Sequence, residues 1–119
     1  MRDHSELTLR KQSDFARVYK QGKSKGSRFA VILYRRNGLK ITRTAFVSSK
    51  KVGNSVERNR SRRLMKAAYR AFEPDIKSGY DIVFVARAAI KGCKEPEVER
   101  QLKKTLESAG ILTGNNNEK

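Results

Sequence analysis

Between Asn54 and Pro74 the chain reads NSVERNRSRRLMKAAYRAFEP, and no other stretch limits the fold as tightly. Asn54 can accept a backbone N–H, and Glu57 three residues later completes a capping-box pair that starts a helix. Pro74 stops it, so the spacing predicts a helix over 55–72. At about 100° per residue, Val56, Leu64, Ala67, Ala68, Ala71 and Phe72 fall on one side. Arg58, Asn59, Arg62, Arg63, Lys66 and Arg70 fall on the other, with Met65 and Tyr69 at the boundary. Arg60 projects toward the apolar side, but close enough to the helix start to reach outward. Glu57 is then a structural acid, and the apolar side requires a second layer to cover it.

The other side of that helix carries no acid. A solvated face would usually alternate signs and gain pairs one turn apart. Here like charges repel, and a polyanion would offset the cost. Phosphates about 6 Å apart match guanidinium groups one turn apart, each able to bind through a two-pronged fork. The helix N-terminus adds anion-binding donors, and Lys50 and Lys51 extend the patch. The whole chain repeats this bias. Its 119 residues carry a formal net charge of +16. All of that excess lies in the first 70 residues, because basic and acidic side chains balance after that point. Such segregation is what a nucleic-acid partner explains, since each neutralised phosphate releases condensed counterions.

The remaining elements follow from pattern. Residues 13–21 read as a short helix, with Ser13 as cap, Phe15, Val18 and Tyr19 on one face and Gly22 as the stop. Residues 23–27 read as a basic loop. Residues 29–34 (FAVILY) and 42–49 read as strands, and Asn37-Gly38 between them invites a hairpin. Residues 80–86 (YDIVFVA) form a further strand. Pro96 suits the first turn of a last helix, in which Val98, Leu102, Leu106 and Ala109 make a core-facing stripe. Residues 1–10 read as mobile and the tail 113–119 as disordered. Residues 1–112 then make one α/β domain, a mixed sheet with helices on it.

Several functional classes are disfavoured. No stretch approaches the ~20 apolar residues of a membrane span, and the polar N-terminus lacks the apolar core of a signal peptide. Cys93 is alone and cannot form an internal disulfide, which suits a cytoplasmic setting. A metal-dependent nuclease needs converging carboxylates, yet residues 10–70 of the basic region hold only Asp14 and Glu57, far apart in sequence. His4 has no second histidine, and no Gly-rich phosphate loop is present. No catalytic residue, metal site or bound cofactor is therefore expected in this chain. Phe15 and Tyr19 have two readings, docking the first helix or stacking on unpaired bases. Along the first apolar strand Ala30, Ile32 and Tyr34 share one face, and Tyr34 stands next to Arg35 and Arg36.

The stretch SKKVGNSVERNRSRRLMKAAYR closely resembles the signature of the bacterial ribonuclease P protein subunit, through Lys50, Lys51, Gly53, Asn54, Arg58, Asn59, Arg60, Arg62 and Arg63. SDFARVYKQGKS and YDIVFVAR resemble other parts of that family, and the resemblance spans about residues 5–110. It implies an α+β fold of order αβββαβα, like the second domain of ribosomal protein S5. Three helices would pack on a mixed four-stranded sheet, with one small strand not placed by pattern and a left-handed βαβ crossover, against the usual hand. It implies a ribonucleoprotein that removes the 5′ leader of precursor tRNA, with catalysis and Mg ions belonging to a large RNA subunit. The protein would bind that RNA and the leader, improving substrate and metal-ion affinity and substrate range. Lys50, Lys51, Asn54, Arg58, Asn59, Arg60, Arg62, Arg63, Lys66 and Arg70 would face the catalytic RNA. Phe15, Tyr19, Ala30, Ile32 and Tyr34 would line the leader cleft. The alternative is a small basic ribosomal or other RNA-binding protein without a processing role.

Overall fold

The computed structural model describes residues 8–112, so His4 and the tail beyond Leu112 lie outside the described residues. The elements run α1 (Gln12–Gln21), β1 (Lys23–Gly26), β2 (Ala30–Arg36), β3 (Arg43–Ser48), α2 (Ser55–Arg70), β4 (Tyr80–Ala86) and α3 (Glu95–Ser108). The order αβββαβα is the expected one. The sheet order is β1-β2-β4-β3. β1 and β2 are antiparallel, as are β2 and β4, while β3 and β4 are parallel and joined through α2.

Two layers cover the sheet unequally. On one side α2 and α3 bury Ala30, Ile32, Tyr34, Ile82, Phe84 and Ala86 with Met65, Tyr69, Val98, Leu102 and Leu106. Phe46, Phe84 and Tyr69 make the aromatic centre: Phe46 stacks on Phe84 at 4.8 Å, and Tyr69 meets Phe84 edge-on at 5.3 Å. Burial in this cluster also pushes the Tyr69 hydroxyl above its ordinary pKa. On the other side α1 covers a smaller cluster of Leu9, Val18, Ala45 and Val83, with Phe15, Leu33, Val47 and Val85 half-buried around it.

Five expectations are corrected. The basic loop at 23–27 is largely the strand β1, which is exposed throughout and pairs only with β2; it is also the small strand that pattern did not place. The Asn37-Gly38 turn forms, with Gly38 at φ 74, but makes no hairpin because β4 lies between β2 and β3. Helix α1 begins one residue earlier than expected, with Lys11 rather than Ser13 at its cap position. The buried stripe of α2 is Ser61, Met65, Ala68 and Tyr69, whereas Val56 is 70% exposed. Ser61 tolerates burial because its hydroxyl donates to the Arg58 carbonyl and meets the Ser48 hydroxyl, both at 2.8 Å. The fifth correction concerns Ala30, Ile32 and Tyr34 and belongs with the site.

Candidate nucleic-acid interface

Helix α2 is anchored at its start before it presents any charge. Asn54 Oδ1 accepts from the Glu57 N–H at 2.9 Å, and Glu57 Oε1 accepts from the Asn54 N–H at 3.0 Å. Glu57 is held below the usual carboxylate range, first by that backbone N–H and then by Lys91, whose Nζ lies 3.3 Å from Glu57 Oε2. Gly53 sits at φ 144, and a side chain there would run into the Glu57 carboxylate. Asn54 therefore serves the cap, and its carbonyl oxygen is committed to the helix. Ahead of it Lys50–Val52 make a single 3-10 turn that holds Lys50 and Lys51 in the open. Arg58 is half-buried and donates through Nη1 to the Gly53 carbonyl at 2.8 Å, which ties the turn to the helix.

Beyond the first turn Asn59, Arg62, Arg63 and Lys66 line an open depression of about 440 Å³ together with Phe46. Arg62 donates to the Asn59 side chain, so the two are oriented as a unit. Lys66 and Arg70 border the next depression with Thr8, Thr44, Phe46, Tyr69 and Glu73, an acid at the far end of the stripe. Arg60 is exposed but stands on the other flank, in a depression with Glu57, Leu64, Lys91 and Gly92. The helix thus brings Asn59, Arg62, Arg63, Lys66 and Arg70 into one stripe over the edge strand β3 and leaves Arg60 apart. Among the described residues the ion pairs join Arg17 and Arg43 to Asp14, Arg43 to Asp81, and Lys91 to Glu57. None of them neutralises a cation of the stripe. A basic stripe without ion-pair partners can bind phosphates, and the half-buried Phe46 ring lies at its base.

The second predicted surface is only partly assembled. Phe15 is half-buried and Tyr19 is 51% exposed, both on the α1 side of the sheet. Ala30, Ile32 and Tyr34 point the other way and are buried under α2 and α3, at 0%, 0% and 8% exposure. Because every residue of that strand segment is apolar, period-2 alternation does not reveal which face lies under which helix. Leu33 packs on the α1 side instead, with Val47 and Val85, and Val31, two residues before it on β2, shares that face of the strand. Ser24 and Gly26 pair with Leu33 and Val31, so the strip continues over small residues to the sheet edge.

Two features escaped the sequence reading. One is Phe46, which patterning treats as an ordinary strand residue. The other is a buried ion network. Arg43 grips Asp81 through Nε at 2.9 Å and Nη2 at 2.7 Å, and reaches Asp14 through Nη1 at 3.2 Å. Hydrogen bonding to Asp81 leads the effects that raise the Arg43 pKa further, which keeps it charged. Only spatial proximity reveals this set, since its members lie 29 and 38 residues apart in sequence. Among the described residues no group of three or more His, Cys, Asp or Glu side chains is placed to hold a metal ion. No helix there is long and apolar enough to cross a membrane.

Comparison with known proteins places this geometry in a family. The family model described as Ribonuclease P matches residues 4–110. The ribonuclease P protein component of Caldanaerobacter subterraneus is 42% identical over 101 residues, covering 82% of this chain and 87% of that one. The corresponding protein of Clostridioides difficile is 41% identical over 104 residues, covering 87% and 91%. Among solved structures, the ribonuclease P protein of Staphylococcus aureus superposes with a TM-score of 0.80 at 28% identity, covering 89% of this chain and 97% of that chain. The Thermotoga maritima protein gives 0.77 at 28% identity, covering 85% and 96%. With the family model matching most of its length and relatives above 40% identity, the chain belongs to the ribonuclease P protein family.

Proposed function

We propose that this chain is the protein component of ribonuclease P, an endoribonuclease that releases the 5′ leader of precursor tRNA. In this reading residues 8–112 act as one RNA-binding unit with two working surfaces. The stripe of Asn59, Arg62, Arg63, Lys66 and Arg70, with Lys50 and Lys51 at its head, takes the catalytic RNA. Arg58 and Asn54 hold that surface in shape, and Arg60 contacts RNA from the other flank. Phe15 and Tyr19, with Val31, Leu33, Val47 and Val85 as floor, take the unpaired leader.

The observation that carries the reading is the uncompensated cationic stripe on a helix whose start is locked by a capping box. Hydrolysis is assigned to the RNA subunit. The buried carboxylates Asp14 and Asp81 are both engaged by Arg43, which leaves neither free to take a Mg ion. Mg ions would then act through the RNA, whose affinity for them and for substrate the protein improves. A cytoplasmic location accompanies this role. The test is reconstitution: rigorously RNA-free protein should leave precursor tRNA intact. Adding a cognate catalytic RNA at low Mg should restore cleavage at the mature 5′ end. Cleavage by the protein alone would defeat the assignment.

A further inference from the structure

Helix α1 is a ten-residue helix that buries only Asp14 and Val18. A helix of this length is marginal by itself, and Val18 is its one fully buried apolar side chain, with Phe15 half-buried beside it. Polar ties hold its two ends. At the N-terminal end Asp14 accepts from Arg43 of β3 at 3.2 Å and from exposed Arg17 of its own helix at 3.2 Å. At the C-terminal end Gln21 accepts from Arg35 of β2 at 3.1 Å. Phe15 and Tyr19 lie between those ties.

Arg43 is the shared member. Its fork grips Asp81 of β4, and Asp81 also accepts from Asn37 at 2.9 Å. One guanidinium therefore joins α1, two strands and the turn after β2. Asp14 and Asp81 are 6% and 3% exposed. A buried ionic set of this kind is weak evidence of net stabilisation, because desolvation offsets much of the attraction. What it does supply is geometry, since a planar fork admits few arrangements of its partners.

We infer that Arg43, acting through Asp14, is a positioning residue for the leader: it sets how far Phe15 and Tyr19 stand from Val31, Leu33, Val47 and Val85. The inference rests on the leader assignment above. It makes α1 one wall of the cleft, tied to the sheet by an ion pair whose other end is the Arg43–Asp81 fork.

The test uses reconstituted holoenzyme with Asp14→Asn, which keeps the side-chain volume and leaves the Arg43–Asp81 fork in place. Substrates carry either a full leader or a single leader nucleotide. The expected result is a several-fold rise in KM for the full leader, with kcat unchanged and the single-nucleotide substrate unaffected. Backbone amides of Phe15, Val18 and Tyr19 should exchange faster while those of Met65 and Ala68 do not. Arg17→Ala, which removes only the exposed partner of Asp14, should leave the full-leader KM where it was. An unchanged full-leader KM in Asp14→Asn, or an equal rise for both substrates, would overturn the inference. A wild-type holoenzyme that fails to distinguish the two substrates would instead remove the leader assignment itself.

Discussion

Replacing Arg62, Arg63 and Lys66 together with Ala tests the stripe quantitatively. All three border one depression, and none is paired with a carboxylate among the described residues. Each should therefore displace counterions when it meets a phosphate. One such contact contributes about 0.7–0.9 to the slope of log affinity against log salt, so losing three should flatten it by about 2–3. Over a fourfold increase in salt, wild-type affinity should fall about 20- to 40-fold more than that of the variant. The control is Arg100, Lys103 and Lys104 of α3, changed to Ala in the same way. They are exposed, as Arg63 and Lys66 are, whereas Arg62 is half-buried, and their helix also carries Glu95, Glu97, Glu99 and Glu107. The assay is equilibrium binding to the catalytic RNA across a salt series at constant Mg. Equal slopes for wild type and the stripe variant would refute the reasoning, as would an equal loss in the α3 control.

The remaining predictions concern single positions. Phe15→Ala should lower the preference for leader-bearing over mature tRNA in competition binding and cost about 1–3 kcal/mol of stability; an unchanged preference would leave Phe15 as a docking residue only. Gly53→Ala should destabilise by about 1–3 kcal/mol in denaturant unfolding, because it strains a positive-φ position and displaces Glu57 from the cap; an unaltered midpoint would argue against that geometry. Glu57 has a lowered folded pKa, so the stability it contributes is present above its unfolded value, near 4.5, and is lost as pH falls through the folded one. Glu57→Gln should therefore flatten the acid limb of the melting-temperature profile. An identical acid limb in the variant would count against the capping role.

How much of this was legible in the sequence depended on how one-sided each segment is. Helix α2 was readable because its caps and its acid-free face are local signals. Its rotation differs by part of a turn from the one the apolar pattern predicts, since Ser61 is buried through hydrogen bonds rather than hydrophobicity, and Met65 and Tyr69 lie in the core and not at the boundary. Strand β1 carries no apolar alternation because both its faces are exposed, so only pairing with β2 defines it. The Asn37-Gly38 signal was real as a turn and misleading as a hairpin. Asn37 donates to Asp81 and to the Ile41 carbonyl, and β3 passes beyond β4 to pair with it in parallel. In the first apolar strand both faces are apolar, so pattern alone does not tell the face of Ala30, Ile32 and Tyr34 from that of Val31 and Leu33. The Arg43 network has no local signature at all.

The division of labour between the two faces can be read directly by placing a photocrosslinker on each. In a Cys93→Ser background, Asn59→Cys should attach to the catalytic RNA and Tyr19→Cys to the leader of bound precursor tRNA. Attachment of both probes to the same RNA, or of the Tyr19 probe to the tRNA body and not the leader, would contradict the account.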